Sequence, residues 1–187
     1  MAKAKNNHHL YVGRAGHLAA MAECLSRGWN VAIPEVDVGE DIFVVEDETS
    51  ILAKVQVKTA TGKKTKGGFT AQFIIPIRQL NDESSKGNEM RFIFVTRYNK
   101  TWQPFLIMKR KELQDKHLLE HIGSITKTGE VKLTVYYTFE KKNLDKVVKI
   151  ECGTQRGFSG KDIPKPDLTS FIDKWDKFFT VRIIEGN

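Results

Sequence analysis

Asp41-Ile42-Phe43-Val44-Val45-Glu46-Asp47-Glu48-Thr49-Ser50-Ile51-Leu52-Ala53-Lys54-Val55-Gln56-Val57-Lys58 decides the architecture of this chain. Two apolar runs rich in branched residues, Ile42 to Val45 and Ile51 to Val57, flank an acidic turn, which is the pattern of a β-hairpin. In an antiparallel pair the start of one strand lies beside the end of the other, so Asp41 and Gln56 become neighbours. Gln56 and Lys58, two positions apart, project from one face of their strand while Val57 points to the other. The hairpin is therefore expected to deliver one carboxylate, one amide oxygen and one ammonium to a single point. Oxygen donors beside a lysine suit a divalent cation placed against a phosphodiester.

Upstream, Gly13 to Arg27 has helical spacing, with Leu18, Met21, Ala22 and Leu25 as the expected buried stripe and Gly28 as the stop. Asn30 to Ile33 is expected as a short strand and Pro34 to Gly39 as a connector. At about 100° per residue that stripe leaves His17 on its flank and Glu23, the only acid of the helix, nearly opposite. His17 would reach the sheet edge more easily, whereas Glu23 would face solvent unless the helix is packed on two sides. Both are candidate site residues. Asp37 and Glu40, beside Asp41, are alternates for a second metal ligand.

Downstream, Thr59 to Gly68 is polar, basic and glycine-rich, and reads as an exposed flexible loop. Its Lys63, Lys64 and Lys66, with Arg14, Lys54 and Arg78, are candidates for contact with a phosphate backbone. Phe69 to Ile77 is a strand and Arg91 to Thr96 a buried strand, with Phe105 to Met108 as its hairpin partner. Lys109 to His121 has the pattern of a helix, and Glu130 to Phe139 alternates as an amphipathic strand. Asn143 to Lys149 fits strand or turn. Leu168 to Phe179 is expected as a last helix, with Leu168, Phe171, Ile172, Trp175 and Phe179 on one stripe and Asp167 as its N-cap. Tyr98, Trp102 and Phe105 suit either base stacking or the core; Trp175, Phe178 and Phe179 suit the core or a dimer surface.

With 187 residues and 40% hydrophobic content, one sizeable core and a single domain over 1–187 are expected. The net charge of +7, from 30 Lys and Arg against 23 acids, suits a polyanionic partner. No stretch approaches the roughly 18 to 20 apolar residues of a membrane helix, and the N-terminus lacks the apolar core of a secretory signal. No membrane association and a cytoplasmic location are expected. The two cysteines, Cys24 and Cys152, lie far apart with no metal-binding spacing and are expected to be reduced, packed thiols.

The order of a helix, a strand bearing Asp41 and a strand bearing Gln56-Val57-Lys58 resembles the PD-(D/E)xK nuclease superfamily, in particular QxK members such as the Mrr-like restriction endonucleases. The resemblance covers about residues 13–60, a third of the chain; 69–187 match no motif. It implies a restriction-endonuclease-like α/β core, a mixed central β-sheet flanked by helices. It also implies Mg²⁺ or Mn²⁺ as cofactor and hydrolysis of phosphodiester bonds, in DNA, in restriction, repair or defence. Asp41 would anchor the metal, with the side-chain oxygen of Gln56 and the backbone carbonyl of Val57 as further ligands and Lys58 beside the scissile phosphate. A homodimer is expected, since many nucleases of this fold cut two strands as dimers. Two positions depart from the pattern: Gln56 is neutral where an acid would bind a cation more tightly, and His17 stands where a helix glutamate is expected. Two alternatives therefore stay open, a nuclease-fold nucleic-acid-binding module without catalytic power and a partner-binding protein whose charged segments are only surface.

Overall fold

The computed structural model describes residues 7–36, 39–81, 90–155 and 164–179. Asp37 lies outside them. The fold is mixed α/β and has three layers. The first is the helix α1 (His8–Ser26). The second is a mixed sheet built from β1 (Asn30–Ala32), β2 (Ile42–Glu46), β3 (Ile51–Thr61) and, after β4 (Lys63–Thr65), β5 (Gly68–Pro76) and the short helix α2 (Ile77–Asn81), β6 (Met90–Tyr98), β7 (Thr101–Trp102) and β8 (Leu106–Lys109). Its order is β1-β2-β3-β6, with β7 and β8 both on the far edge of β6. The third layer is a second sheet, which follows α3 (Arg110–Leu119) and consists of β9 (Ser124–Ile125), β10 (Glu130–Glu140) and β11 (Asn143–Cys152) together with β4 and β5, ordered β11-β10-β5-β4 with β9 also on β10.

The expected hairpin forms, with Ile42 opposite Val55 and Glu46 opposite Ile51. β3 then pairs in parallel with β6, Lys54 opposite Met90 through Thr61 opposite Arg97, and this pairing makes the first sheet mixed. β6 is buried on both faces. Ile93 and Val95 join Ala53, Val55 and Val57 under α1, while Phe92 and Phe94 join Phe73, Leu133 and Val135 between the two sheets. A hydrogen bond of 3.0 Å between the buried hydroxyls of Thr96 and Tyr137 links the sheets.

The face that α1 buries differs from expectation. Val12, Gly16, Ala20 and Cys24 are buried, whereas Leu18 and Leu25 are 52% and 54% exposed. The sheet surface beneath is already filled by Ile42, Val44, Val55 and Val57, so only small side chains let the helix approach. At Gly16 an added Cβ would lie 2.0 Å from Thr59 Oγ1. The helix also begins five residues before Gly13, since one glycine does not stop an otherwise helical run.

Two further segments differ. The stretch 59–68 is ordered by pairing: β3 runs to Thr61, Gly62 turns the corner where a Cβ would meet Phe69 and Tyr98, and β4 pairs with β5. The last helix is replaced by two 3₁₀ turns, Thr169–Phe171 and Trp175–Lys177. Asp173, at φ +44°, separates them; its N–H donates to Phe105 O at 2.8 Å, and its Oδ1 accepts from Phe105 N–H at 2.9 Å. Bonding to the β7–β8 connection outweighs the helical pattern, and the segment sends Leu168 and Phe171 into one core and Trp175 and Phe178 into the other. Trp175 and Phe178 are thus core residues packed around Trp29, Phe178 stacked on it and Trp175 tilted against it. Asp167 still accepts from Thr169 N–H at 2.7 Å, as an N-cap would. Among the described residues, no helix is long and apolar enough to cross a membrane.

Gly16→Ala should lower the melting temperature even though alanine is the better helix former, with an overpacking cost of about 1–3 kcal/mol. Thermal denaturation should show part of that loss recovered in Gly16→Ala with Thr59→Ala. Burial raises the thiols of Cys24 and Cys152 to about 12. Neither cysteine should react with an exposed-thiol reagent at pH 8 until denaturant is added.

Candidate functional site

β3 outruns its partner. β2 begins at Ile42, opposite Val55, and its last ladder contact at this end is the Asp41 N–H to Val55 O bond of 2.9 Å. The next inward-facing donor of β3, the Val57 N–H, has no β2 backbone to meet. The Asp41 side chain takes that place, with Oδ2 accepting from Val57 N–H at 2.7 Å. The same oxygen accepts from Gln56 Nε2. His17 Nε2 stands 3.6 Å from it.

These partners come from β3 and α1, each for a physical reason. Ala53, Val55 and Val57 belong to the core under α1, so the alternate residues Lys54, Gln56 and Lys58 occupy the opposite face of β3. Asp41, at the open end of β2, stands at the margin where both faces can be reached. Close packing at Gly16, with Thr59 Oγ1 donating to Gly13 O at 3.5 Å, holds α1 against β3 and brings His17 over that margin. The side chains of His17 and Asp41 are 25% and 15% exposed, so the carboxylate is partly shielded and its hydrogen bonds are correspondingly stronger than in water.

Gln56 is buried at 4% exposure, and its Oε1 accepts from Gln79 Nε2 at 2.7 Å. Gln79 belongs to α2 and also donates to Gly39 O at 3.5 Å. Glu40, 8% exposed, pairs through Oε1 with Lys54 Nζ at 2.8 Å, while its Oε2 has no hydrogen-bond partner among the described residues. Lys58 is half-buried. The structure thus brings together His17, Asp41, Gln56 and Val57, with Lys58 next along the strand.

Glu23 is not part of this group. It binds Arg27 at 2.6 Å and lines a separate open depression of about 680 Å³ with Trp102, Phe105 and Asp173. Relative to the stripe that is actually buried, His17 and Glu23 lie on opposite flanks of α1, about 9 Å apart along its axis. The helix therefore offers the site His17 and no acid. Lys63, Lys64, Lys66, Arg14 and Arg78 are all exposed. Lys54 is engaged by Glu40. Of the aromatic candidates, Tyr98 stacks on Phe69 at 4.4 Å, Phe105 packs edge-on against Trp175, and Trp102 lies under Arg97. Sequence reasoning did not find Gln79, because nothing marks a short helix after Pro76 or a glutamine aimed at the hairpin.

Comparison of the sequence with protein-family models gives no match, and comparison with curated proteins gives none. Among solved structures, the chain is similar to a bacterial homing endonuclease, at 17% sequence identity and a TM-score of 0.46, with 88% of this chain and 86% of that chain covered.

Asp41→Ala should destabilise the fold by about 1–3 kcal/mol, because it leaves the Val57 N–H and the Gln56 amide without an acceptor. Asp41→Asn, which keeps an oxygen at the position, should lose less. Urea denaturation of the two variants against the parent checks the order.

Proposed function

We propose that this protein is a divalent-cation-dependent nuclease, a QxK variant of the PD-(D/E)xK superfamily that hydrolyses phosphodiester bonds in DNA. The observation that carries the proposal is the convergence of Asp41 with Gln56, Val57 and His17 at the end of a hairpin, in the helix, Asp-strand, QxK-strand order. An edge aspartate with a purely structural task would need only the Val57 N–H; the buried glutamine beside it adds a second oxygen-bearing group at the same point.

The donors suit a hard cation. Asp41 supplies a carboxylate, Gln56 an amide oxygen and Val57 a backbone carbonyl, and Mg²⁺ characteristically takes one or two carboxylates and keeps several waters. The unpartnered Oε2 of buried Glu40, next in sequence to Asp41, adds a second carboxylate oxygen to the neighbourhood. Among the described residues there is no cluster of three or more His, Cys, Asp and Glu side chains fit for a metal, so a site here must use amide and backbone oxygens. When bound, Mg²⁺ or Mn²⁺ supplies charge neutralisation at the phosphoryl oxygens and an activated water.

The remaining roles belong to side chains. Lys58 places a positive charge where negative charge develops during attack on phosphorus and orients the attacking water. His17, as an imidazolium, would compete with a cation for Asp41; as a neutral imidazole it leaves the carboxylate available. Exposed Lys63, Lys64, Lys66 and Arg14, on a chain of net charge +7, hold the phosphate backbone. The proposal includes one functional domain over the whole chain, a homodimer that cuts two strands, and a cytoplasmic location.

A second reading, a nucleic-acid-binding module of weak catalytic power, is favoured by one observation: Gln56 turns its nitrogen, not its oxygen, to Asp41.

Incubation with Mg²⁺ or Mn²⁺ and a mixture of single-stranded, duplex and supercoiled DNA should give cleavage. Lys58→Ala and Asp41→Asn, each shown to be folded by circular dichroism, should cut at least about a hundredfold more slowly, the scale on which loss of a charge-stabilising group acts. His17→Glu should lower the Mn²⁺ concentration needed for half-maximal cleavage by about tenfold, since it adds a second acid beside Asp41. Salt-sensitive binding without cleavage supports the second reading, and neither cleavage nor binding excludes both.

A further inference from the structure

Gln56 can serve a cation only through its amide oxygen, and that oxygen is engaged elsewhere. Its Nε2 donates to Asp41 Oδ2, and its Oε1 accepts from Gln79 Nε2 at 2.7 Å. The amide of Gln79 is in turn fixed with its nitrogen toward Gln56 and Gly39 O, leaving its own Oε1 buried and without a hydrogen-bond partner among the described residues. A buried acceptor with no donor is costly and calls for an explanation.

A primary amide carries donors on one side and an acceptor on the other, so a half-turn exchanges the two. If Gln79 turns, its oxygen faces Gln56; Gln56 must then turn as well, to offer its nitrogen. The bond between the two amides survives with its direction reversed; the orphaned oxygen of Gln79 gains a donor, while its nitrogen gives up the 3.5 Å bond to Gly39 O. The same motion sets Gln56 Oε1 against Asp41 Oδ2, two oxygens that repel unless a positive charge lies between them. The pair therefore has two arrangements, one closed by the Gln56 to Asp41 hydrogen bond and one in which two oxygens face a common point.

We propose that Gln79 is a positioning residue which holds the Gln56 amide nitrogen-first toward Asp41 in the cation-free protein and, by turning with it, oxygen-first when a divalent cation binds. This rests on the metal-site reading above and assigns the orientation of Gln56 to a residue on α2. Cation-free Asp41 then keeps its donors, and in the other state the cation takes the place of the Gln56 donor.

The test uses the ¹⁵N-labelled full chain titrated with Mg²⁺, with the side-chain amide signals of Gln56 and Gln79 assigned through Gln56→Met and Gln79→Met. In the parent, both amide signals should move along one binding curve. In Gln79→Glu, which can only accept, the Gln56 amide lies between two carboxylates, and its signal should already stand part of the way to its cation-bound position before Mg²⁺ is added. Mn²⁺ affinity, read from the free-ion electron paramagnetic resonance signal, should rise about tenfold in Gln79→Glu and fall several-fold in Gln79→Met, the worth of one hydrogen bond to a polar partner. If the parent binds Mn²⁺ and the Val57 backbone signal shifts, yet the Gln79 amide stays still and both variants bind as the parent does, the coupling is wrong while the metal site stands. If the parent binds no Mn²⁺ at millimolar concentration, both fall.

Discussion

One carboxylate oxygen organises this part of the molecule. β3 continues past the end of β2, which leaves the Val57 N–H facing an empty lane, and Asp41 Oδ2 fills that lane while also accepting from Gln56. Without it the hairpin would end on an unsatisfied donor of a buried residue, and such a donor costs about as much as a hydrogen bond is worth. The same oxygen fixes the distance to His17 and, through Gln56, the link to Gln79 on α2. Four elements, α1, β2, β3 and α2, thus meet around a single acceptor.

That acceptor stays in place because its surroundings are rigid. α1 approaches β3 closely enough that Gly16 has no room for a side chain, and β3 is clamped on its other edge by eight parallel pairings to β6, itself buried on both faces. A site on strand ends and a helix flank is held more tightly than one on loops. The proposal that Asp41 is a metal ligand as well as a structural cap rests on this placement: the donors that satisfy it in the cation-free protein occupy positions where a cation would place its charge.

The hairpin and its neighbours were legible in the sequence because alternation, branched residues and an acidic turn are local signals. Ile42 to Val45, Ile51 to Val57, the buried Arg91 to Thr96 strand and its Phe105 to Met108 partner all form where the pattern puts them. The convergence of Asp41 and Gln56 followed from antiparallel geometry alone. What was not legible depends on the partner surface. Hydrophobicity favours Leu18 and Leu25 for the buried stripe of α1, yet the sheet beneath selects small residues, so Gly16 and Ala20 go in while the two leucines stay out. Leu168 to Phe179 has helical spacing, but Asp173 bonds to Phe105 and divides the segment between two cores. Lys63 to Thr65 reads as loop by composition and becomes a strand only because β5 is there to pair with. Gln79 carries no local signal at all.

We propose that the hairpin end formed by Asp41 and Gln56 receives a divalent cation. Crystals soaked in Mn²⁺ and measured at an anomalous wavelength test it most directly. A peak about 2 Å from both an Asp41 carboxylate oxygen and the Gln56 side-chain oxygen is the result expected, since hard cations bind such oxygens at that distance. An absence of anomalous density there, with Gln56 Nε2 still bonded to Asp41 at saturating Mn²⁺, would contradict the account.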